Sequence, residues 1–197
     1  MTRGSRTELL MPEVILVGYQ HGFFPMADDT GAIHWHCPDP RAVLPLEHLH
    51  ISRSLRQVIR RREFTVTINK AFDEVIAGCA DREDTWISDE IIAAYTALHE
   101  MGHAHSVEAW KDGELAGGLY GVSIGGAFFG ESMFSRRSNA SKVAFAYLAD
   151  HLRMQDFRLL DTQYVNDFTA SLGAVEIPDA VYRMLLADAL VLDRCFM

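Results

Sequence analysis

In the stretch LLDTQYV, Asp161 and Gln163 stand two residues apart, so on a β-strand they share one face. A carboxylate beside an amide can orient and deprotonate an amine, while the amide donates a hydrogen bond to developing charge. The same spacing also describes two exposed positions at a sheet end. Glu131 lies in FFGESMF, among apolar residues, where a carboxylate is costly unless it is paired or used. A nearby arginine could pair it. Arg136 and Arg137 follow where a strand meets a helix N-terminus, a place that favours anions. The segment His99–His103, HEMGH, is a literal match to the zinc-binding H-E-x-x-H pattern. That geometry needs one helix through both histidines. Gly102 and the alternating HAHSVEAW put His103 past the helix end, so no metal is expected. The pairs His34/His36, His48/His50 and His103/His105 would each need two further ligands that the sequence does not identify.

A basic stripe stands apart from these groups. HISRSLRQVIRRREF carries Arg53, Arg56, Arg60, Arg61 and Arg62 with Glu63 as its acid. Arg53, Arg56 and Arg60 are spaced three and four apart and share a helix face, whereas Arg61 and Arg62 turn towards the next strand. The chain has a formal net charge of −9, which argues against a general nucleic-acid binder. A local basic face on such a chain reads either as a phosphate site or as a solvated surface. The three cysteines, Cys37, Cys79 and Cys195, lack close spacing and fit a reducing compartment. No apolar run approaches the roughly 18 residues of a membrane span, and the N-terminus lacks a signal-peptide core. A cytoplasmic location is expected, as a monomer, since no coiled-coil or interface stripe is visible.

The elements that must position these residues follow from periodicity and turn chemistry. Residues 1–50 are loop-rich and proline-punctuated, and are expected to form a small N-terminal unit, with the catalytic domain over 51–197. A helix over about 52–61 precedes the strand EFTVTI. Two helices follow, the second capped by Ser88 and stopped by Gly102. HSVEAW, ELAGGLYGVSI and AFFGESMF read as antiparallel strands. Asn139 or Ser138 is expected to cap a helix over about 140–154. The strand RLLDTQYV, the short helix NDFTASLG and the apolar segment AVYRMLLADALV close the chain.

That order, β-α-α-β-β-β-α-β-α and a tail, resembles the N-acetyltransferase superfamily. It implies an α/β (α+β) class, with a GNAT-like mixed sheet flanked by helices. Where that superfamily holds the coenzyme A pyrophosphate with a glycine-rich loop, this chain has SRRSNASK, without glycine. The expected acyl donor is therefore not coenzyme A, and no cofactor is expected.

A more specific resemblance rests on GYQHGFFPM, IHWHCPDPRAVLPLEHLHISRS, TWIS, LHEMGHAHSVEAW, GGLYGVSIGGAFFGESMFSRRSNASK and LLDTQYVNDFTASLGAVEIP. Together they resemble the leucyl/phenylalanyl-tRNA–protein transferase family over roughly residues 15 to 180. The resemblance implies a bacterial cytosolic enzyme of the N-end rule. It would move leucine or phenylalanine from aminoacyl-tRNA to the α-amine of proteins beginning with arginine or lysine, marking them for proteolysis. It implies that Asp161 and Gln163 do the chemistry, with Glu131 lining the same site. It also implies a donor pocket of Met26, Trp86, Phe128, Leu148, Leu152 and Leu160, and tRNA contacts through Arg136 and Arg137. The Arg53, Arg56 and Arg60 face is a further candidate for the tRNA backbone. Met26, Leu148 and Leu152 stand where aromatic residues are expected, which widens the cavity and leaves the order among leucine, phenylalanine and methionine open. The alternatives are an acyltransferase with another donor, a non-catalytic RNA- or peptide-binding relative, or a zinc hydrolase.

Overall fold

The computed structural model describes residues 10–197. A helix, α1 (Pro12–Gln20), leads into a hairpin of β1 (Phe24–Ala27) and β2 (Ile33–His36). A short strand, β3 (Arg41–Val43), and a single 3-10 turn precede α2 (Arg53–Arg60), which Ser52 caps by accepting from the Leu55 N–H. Then come β4 (Thr65–Ile68), α3 (Phe72–Ala80) and α4 (Asp89–Glu100). The central strands are β5 (Ala104–Lys111), β6 (Glu114–Ile124) and β7 (Ala127–Ser135), followed by α5 (Ala140–Met154) and β8 (Leu159–Gln163). The chain ends through α6 (Asp167–Leu172), β9 (Val175–Ile177) and α7 (Asp179–Leu190).

Seven strands form one mixed sheet in the order β4-β5-β6-β7-β8-β3-β9. Only the β7–β8 pairing in it is parallel, as expected where a helix connects two neighbouring strands. Side chains alternate across the sheet, so Phe129 and Leu159 join one core while Phe128 and Leu160 join the other. Helices α3, α4 and α7 bury Val75, Ile91, Tyr95 and Tyr182 on the first face. Helix α5 buries Ala144, Leu148 and Leu152 on the second. Bare backbone is needed at Gly121, where an added Cβ would lie 2.3 Å from the Phe129 carbonyl oxygen.

Three local expectations change. Strand β3 lies within the main sheet, whereas β1 and β2 form a two-stranded sheet of their own. Asn139 precedes α5 but makes no side-chain cap, because its φ of 70° is left-handed rather than extended. The Ser135 hydroxyl accepts from the Ser141 N–H instead. Helix α4 ends at Glu100, Gly102 takes φ 81°, and His103 lies beyond it, so the H-E-x-x-H geometry does not form. Among the described residues no group of three or more His, Cys, Asp or Glu could hold a metal ion. No helix there is long and apolar enough to cross a membrane.

Candidate active site

The pairing of β7 with β8 stops at Phe129 and Asp161, although both strands continue. A cavity of about 470 Å³ is lined from both sides of that break. Gly130, Glu131, Ser132 and Met133 line it from β7, and Thr162, Gln163 and Tyr164 from β8 and its exit. Met26, Trp86, Leu119, Phe145, Leu148 and Phe168 give it apolar walls. Met26 and Trp86 are brought together by the Ala27 N–H, which donates to the Trp86 carbonyl oxygen at 3.1 Å.

Of the six expected pocket residues, Met26, Trp86 and Leu148 line this cavity and Phe128, Leu152 and Leu160 do not. The latter three are packed into the core beneath α5, where Phe128 stacks on Phe196 at 5.2 Å between ring centroids. Phe128 and Leu160 are register partners in the paired stretch of β7–β8, ahead of the break that opens the cavity, and Leu152 belongs to the same α5-side core.

Asp161 is placed differently from the expectation that it meets an amine directly. It is fully buried, and both carboxylate oxygens are occupied. The Arg41 Nη2 donates to it at 2.7 Å, with Nε at 3.0 Å, a bidentate ion pair. The Tyr182 hydroxyl donates at 2.7 Å and the Gln163 backbone N–H at 2.8 Å. Arg41 is itself fully buried, sandwiched between the Phe24 and Tyr182 rings, and donates to the Gly22 carbonyl. Burial alone would lower the Arg41 pKa, but the Asp161 charge and hydrogen bonds outweigh it and raise it. The arginine-paired carboxylate considered at position 131 is therefore found at 161.

That ion pair acts on Gln163. Its φ of 62° is left-handed, a conformation that costs a residue with a side chain about 1–2 kcal/mol. The bond from its N–H to Asp161 holds the turn and sends the side chain to the cavity, where Nε2 donates to Glu131 Oε1 at 2.8 Å. With Nε2 so engaged, the Gln163 carbonyl oxygen is the end that can accept from an amine N–H. The other Glu131 oxygen accepts from the Tyr95 hydroxyl at 3.2 Å, and the Tyr95 and Tyr19 hydroxyls lie 2.5 Å apart. Burial raises the Glu131 pKa to about 7, against the hydrogen bonds of Tyr19 and Tyr95, which lower it. The Asp161 charge adds to the rise and Arg41 opposes it.

Further polar groups complete the cavity. Arg82, in the exposed loop before Trp86, lines it and donates to Ser132 Oγ at 3.3 Å. The Tyr120 hydroxyl and Thr162 Oγ1, on two lining residues, are buried without a hydrogen-bond partner among the described residues. Arg41, Tyr182, Tyr19, Tyr95 and Arg82 were missed from sequence. The signal for Arg41 is its place in RAVLPL, an arginine opening an apolar run, with the equally apolar-flanked Asp161 as its partner.

The expected tRNA contacts are on the surface. Arg53, Arg56 and Arg60 are exposed on α2. Arg136 and Arg137 are exposed too, the first over the Phe134 ring and the second 3.7 Å from Glu114. Their backbone N–H groups both donate to the Ala116 carbonyl oxygen, so they are not free to cradle a pyrophosphate.

The chain matches the family "Leucyl/phenylalanyl-tRNA protein transferase" over residues 43–187 and its N-terminal domain over 9–39. A leucyl/phenylalanyl-tRNA–protein transferase of Salinibacter ruber is 54% identical over 182 residues, covering 92% of this chain and 80% of that one. A protein of the same name from Gloeobacter violaceus is 54% identical over 188 residues, covering 95% and 97%. Among solved structures, a ribosomal-protein-alanine N-acetyltransferase from Brucella melitensis aligns with a TM-score of 0.40 at 16% identity, over 55% of this chain and 86% of that one. With its two family matches and relatives that are more than half identical along nearly its whole length, the chain belongs to the leucyl/phenylalanyl-tRNA–protein transferase family.

Proposed function

We propose that this chain transfers leucine or phenylalanine from aminoacyl-tRNA to the α-amine of proteins that begin with arginine or lysine, marking them for N-end rule degradation. The observation that carries this reading is the cavity itself, with apolar walls for a large side chain and the Glu131–Gln163 carboxyl–amide pair at its polar end. An aminoacyl ester is already activated, so the protein's task is to hold ester and amine in line and manage one proton. An α-amine with a pKa of about 8 is about one-tenth neutral at pH 7. The Gln163 carbonyl oxygen accepts from its N–H and turns its lone pair to the ester carbon. The unpartnered hydroxyls of Tyr120 and Thr162 are donors for the polar head of the substrate. Asp161 and Arg41 act one step away, by fixing Gln163.

The exposed Arg53, Arg56 and Arg60 face, with Arg136 and Arg137, supplies cations for the RNA backbone on an otherwise acidic chain. Methionine is a further donor that the same apolar walls accommodate. The experiment is transfer of labelled leucine or phenylalanine from charged tRNA to an Arg-initiated peptide. Label on the peptide is expected with Arg or Lys first and not with an acetylated N-terminus; no label with any of these would overturn the reading.

A further inference from the structure

Glu131 meets three tyrosines from three different elements. Tyr95 on α4 donates to Oε2, Tyr19 on α1 meets the Tyr95 hydroxyl, and Tyr120 on β6 couples electrostatically to the same carboxyl. All three are fully buried. Structural packing would be served as well by phenylalanine, and burying phenols beside a carboxyl is costly unless the hydroxyls are used. We propose that Tyr95, backed by Tyr19, is a positioning residue that keeps Glu131 hydrogen-bonded in both protonation states, so that Glu131 serves as the proton carrier of the transfer step. This rests on the aminoacyl-transfer reading above.

The step balances on one carboxyl. The neutral amine attacks the ester carbon, a C–N bond forms, and the carbonyl electron pair moves to oxygen. The nitrogen, now cationic, gives a proton to the Glu131 carboxylate. The tetrahedral centre collapses, and the C–O bond to the ribose breaks with its electron pair on the ribose oxygen. Glu131 returns its proton to that oxygen and ends as it began. In the carboxylate state Tyr19 donates to Tyr95 and Tyr95 donates to Oε2. When a proton sits on Oε2, that O–H donates to Tyr95 and Tyr95 donates to Tyr19. The reversal is available because either hydroxyl can be the donor between the two tyrosines. A carrier must release as readily as it accepts, which favours a pKa close to the working pH, and that of Glu131 is raised to about 7.

Other groups face Glu131 as well. Gln163 and Asp161 come from β8 and Arg41 from β3, while Arg82 lies across the cavity. The tyrosine hydrogen bonds favour the charged form, so removing one raises the Glu131 pKa further. Tyr95→Phe and Tyr19→Phe keep the ring volumes and test this.

Two readouts are taken on the full chain. The carboxyl infrared band of Glu131, identified by its loss in Glu131→Gln, is titrated without substrate. A midpoint near 7 is expected in the parent, moved up by about one to two pH units in Tyr95→Phe and also upwards in Tyr19→Phe. The pH profile of kcat with charged tRNA should move with it, giving about tenfold lower turnover at pH 7, recovery towards pH 9, and an unchanged KM. Unmoved band midpoints in both variants would overturn the positioning role. A Glu131→Gln protein with parental kcat would overturn the proton carrier. Absence of transfer by the parent would sink the functional reading, while the band titration would still decide the positioning.

Discussion

Replacing Asp161 with asparagine tests whether this residue is a base or a brace. In the folded chain its carboxylate receives Arg41, Tyr182 and the Gln163 N–H, all donors, with no solvent contact. An amide keeps one acceptor oxygen and turns an NH₂ group against donors, leaving the Arg41 charge buried and under-compensated. Breaking one side of such a pair costs about 3–5 kcal/mol. For a chain of this size each kcal/mol moves Tm by about 2–4 °C, so a fall of about 6–20 °C is expected. Transfer should fall as well, because the Gln163 turn loses its anchor. The assay is thermal unfolding by near-ultraviolet circular dichroism beside turnover measured well below the new midpoint. The double variant Arg41→Met/Asp161→Leu separates the two roles. Removing both charges should restore most of the stability, since a buried pair replaced by apolar groups is often near neutral, while transfer stays low. An Asp161→Asn protein with the parental Tm and a 10²-fold loss of turnover would refute the brace and return Asp161 to the chemistry, about 10²-fold being the scale of a lost acid or base.

Gln163→Ala should lower kcat by about 10²-fold with KM for charged tRNA nearly unchanged; a defect confined to KM would assign the amide to docking. Met26→Trp should narrow the cavity and shift the ratio of leucine to phenylalanine use, whereas Leu152→Phe, in the core, should cost stability without changing donor choice. Glutamines at Arg53, Arg56 and Arg60 should raise KM for charged tRNA and flatten its salt dependence, yet leave an aminoacyl-adenosine donor unaffected; equal loss with both donors would make the arginines structural. Stability should also depend on pH through Glu131. Its folded pKa, about 7, exceeds the unfolded carboxylate value, so the folded state binds the extra proton and stability falls as pH rises from about 4.5 through 7. Glu131→Gln should accordingly raise Tm at pH 8 and gain little at pH 5, as thermal melts across that range would show.

The regular elements were legible because their signals are local. Ser88 with Gly102, the Lys-Asp-Gly turn before β6 and Asn166 with Gly173 punctuate the chain as their chemistry requires. Glu131 and Gln163 stand out in the sequence, one for a carboxylate among apolar neighbours and the other for its strand position, and the fold brings both to one cavity. Arg41 was not, because its role exists only once residues 120 positions apart are folded together. The Asp161–Gln163 spacing suggested one shared face, but the left-handed turn at Gln163 ends the strand there, so the two side chains part company. Phe128, Leu152 and Leu160 lie outside the cavity for a related reason. The paired part of β7–β8 is covered by core on both faces, and the cavity opens where that pairing ends, a boundary that no local pattern encodes.

Strand β3 has a consequence for how the protein comes into being. It leaves the ribosome among the first segments, yet its sheet neighbours are β8 and β9, which are synthesised near the end. Until they emerge, Arg41 has no counter-ion and the three-residue strand has nothing to pair with. The hairpin-rich middle, β5 to β7, can close early because its contacts are between consecutive strands. The reactive end of the molecule is therefore the last to form, and a ribosome-bound chain stopped before residue 159 would carry a four-stranded antiparallel sheet, β4 to β7, with an open edge at β7. Acquisition of activity during synthesis would be a single late event, set by the docking of the main sheet's oldest strand between its two youngest.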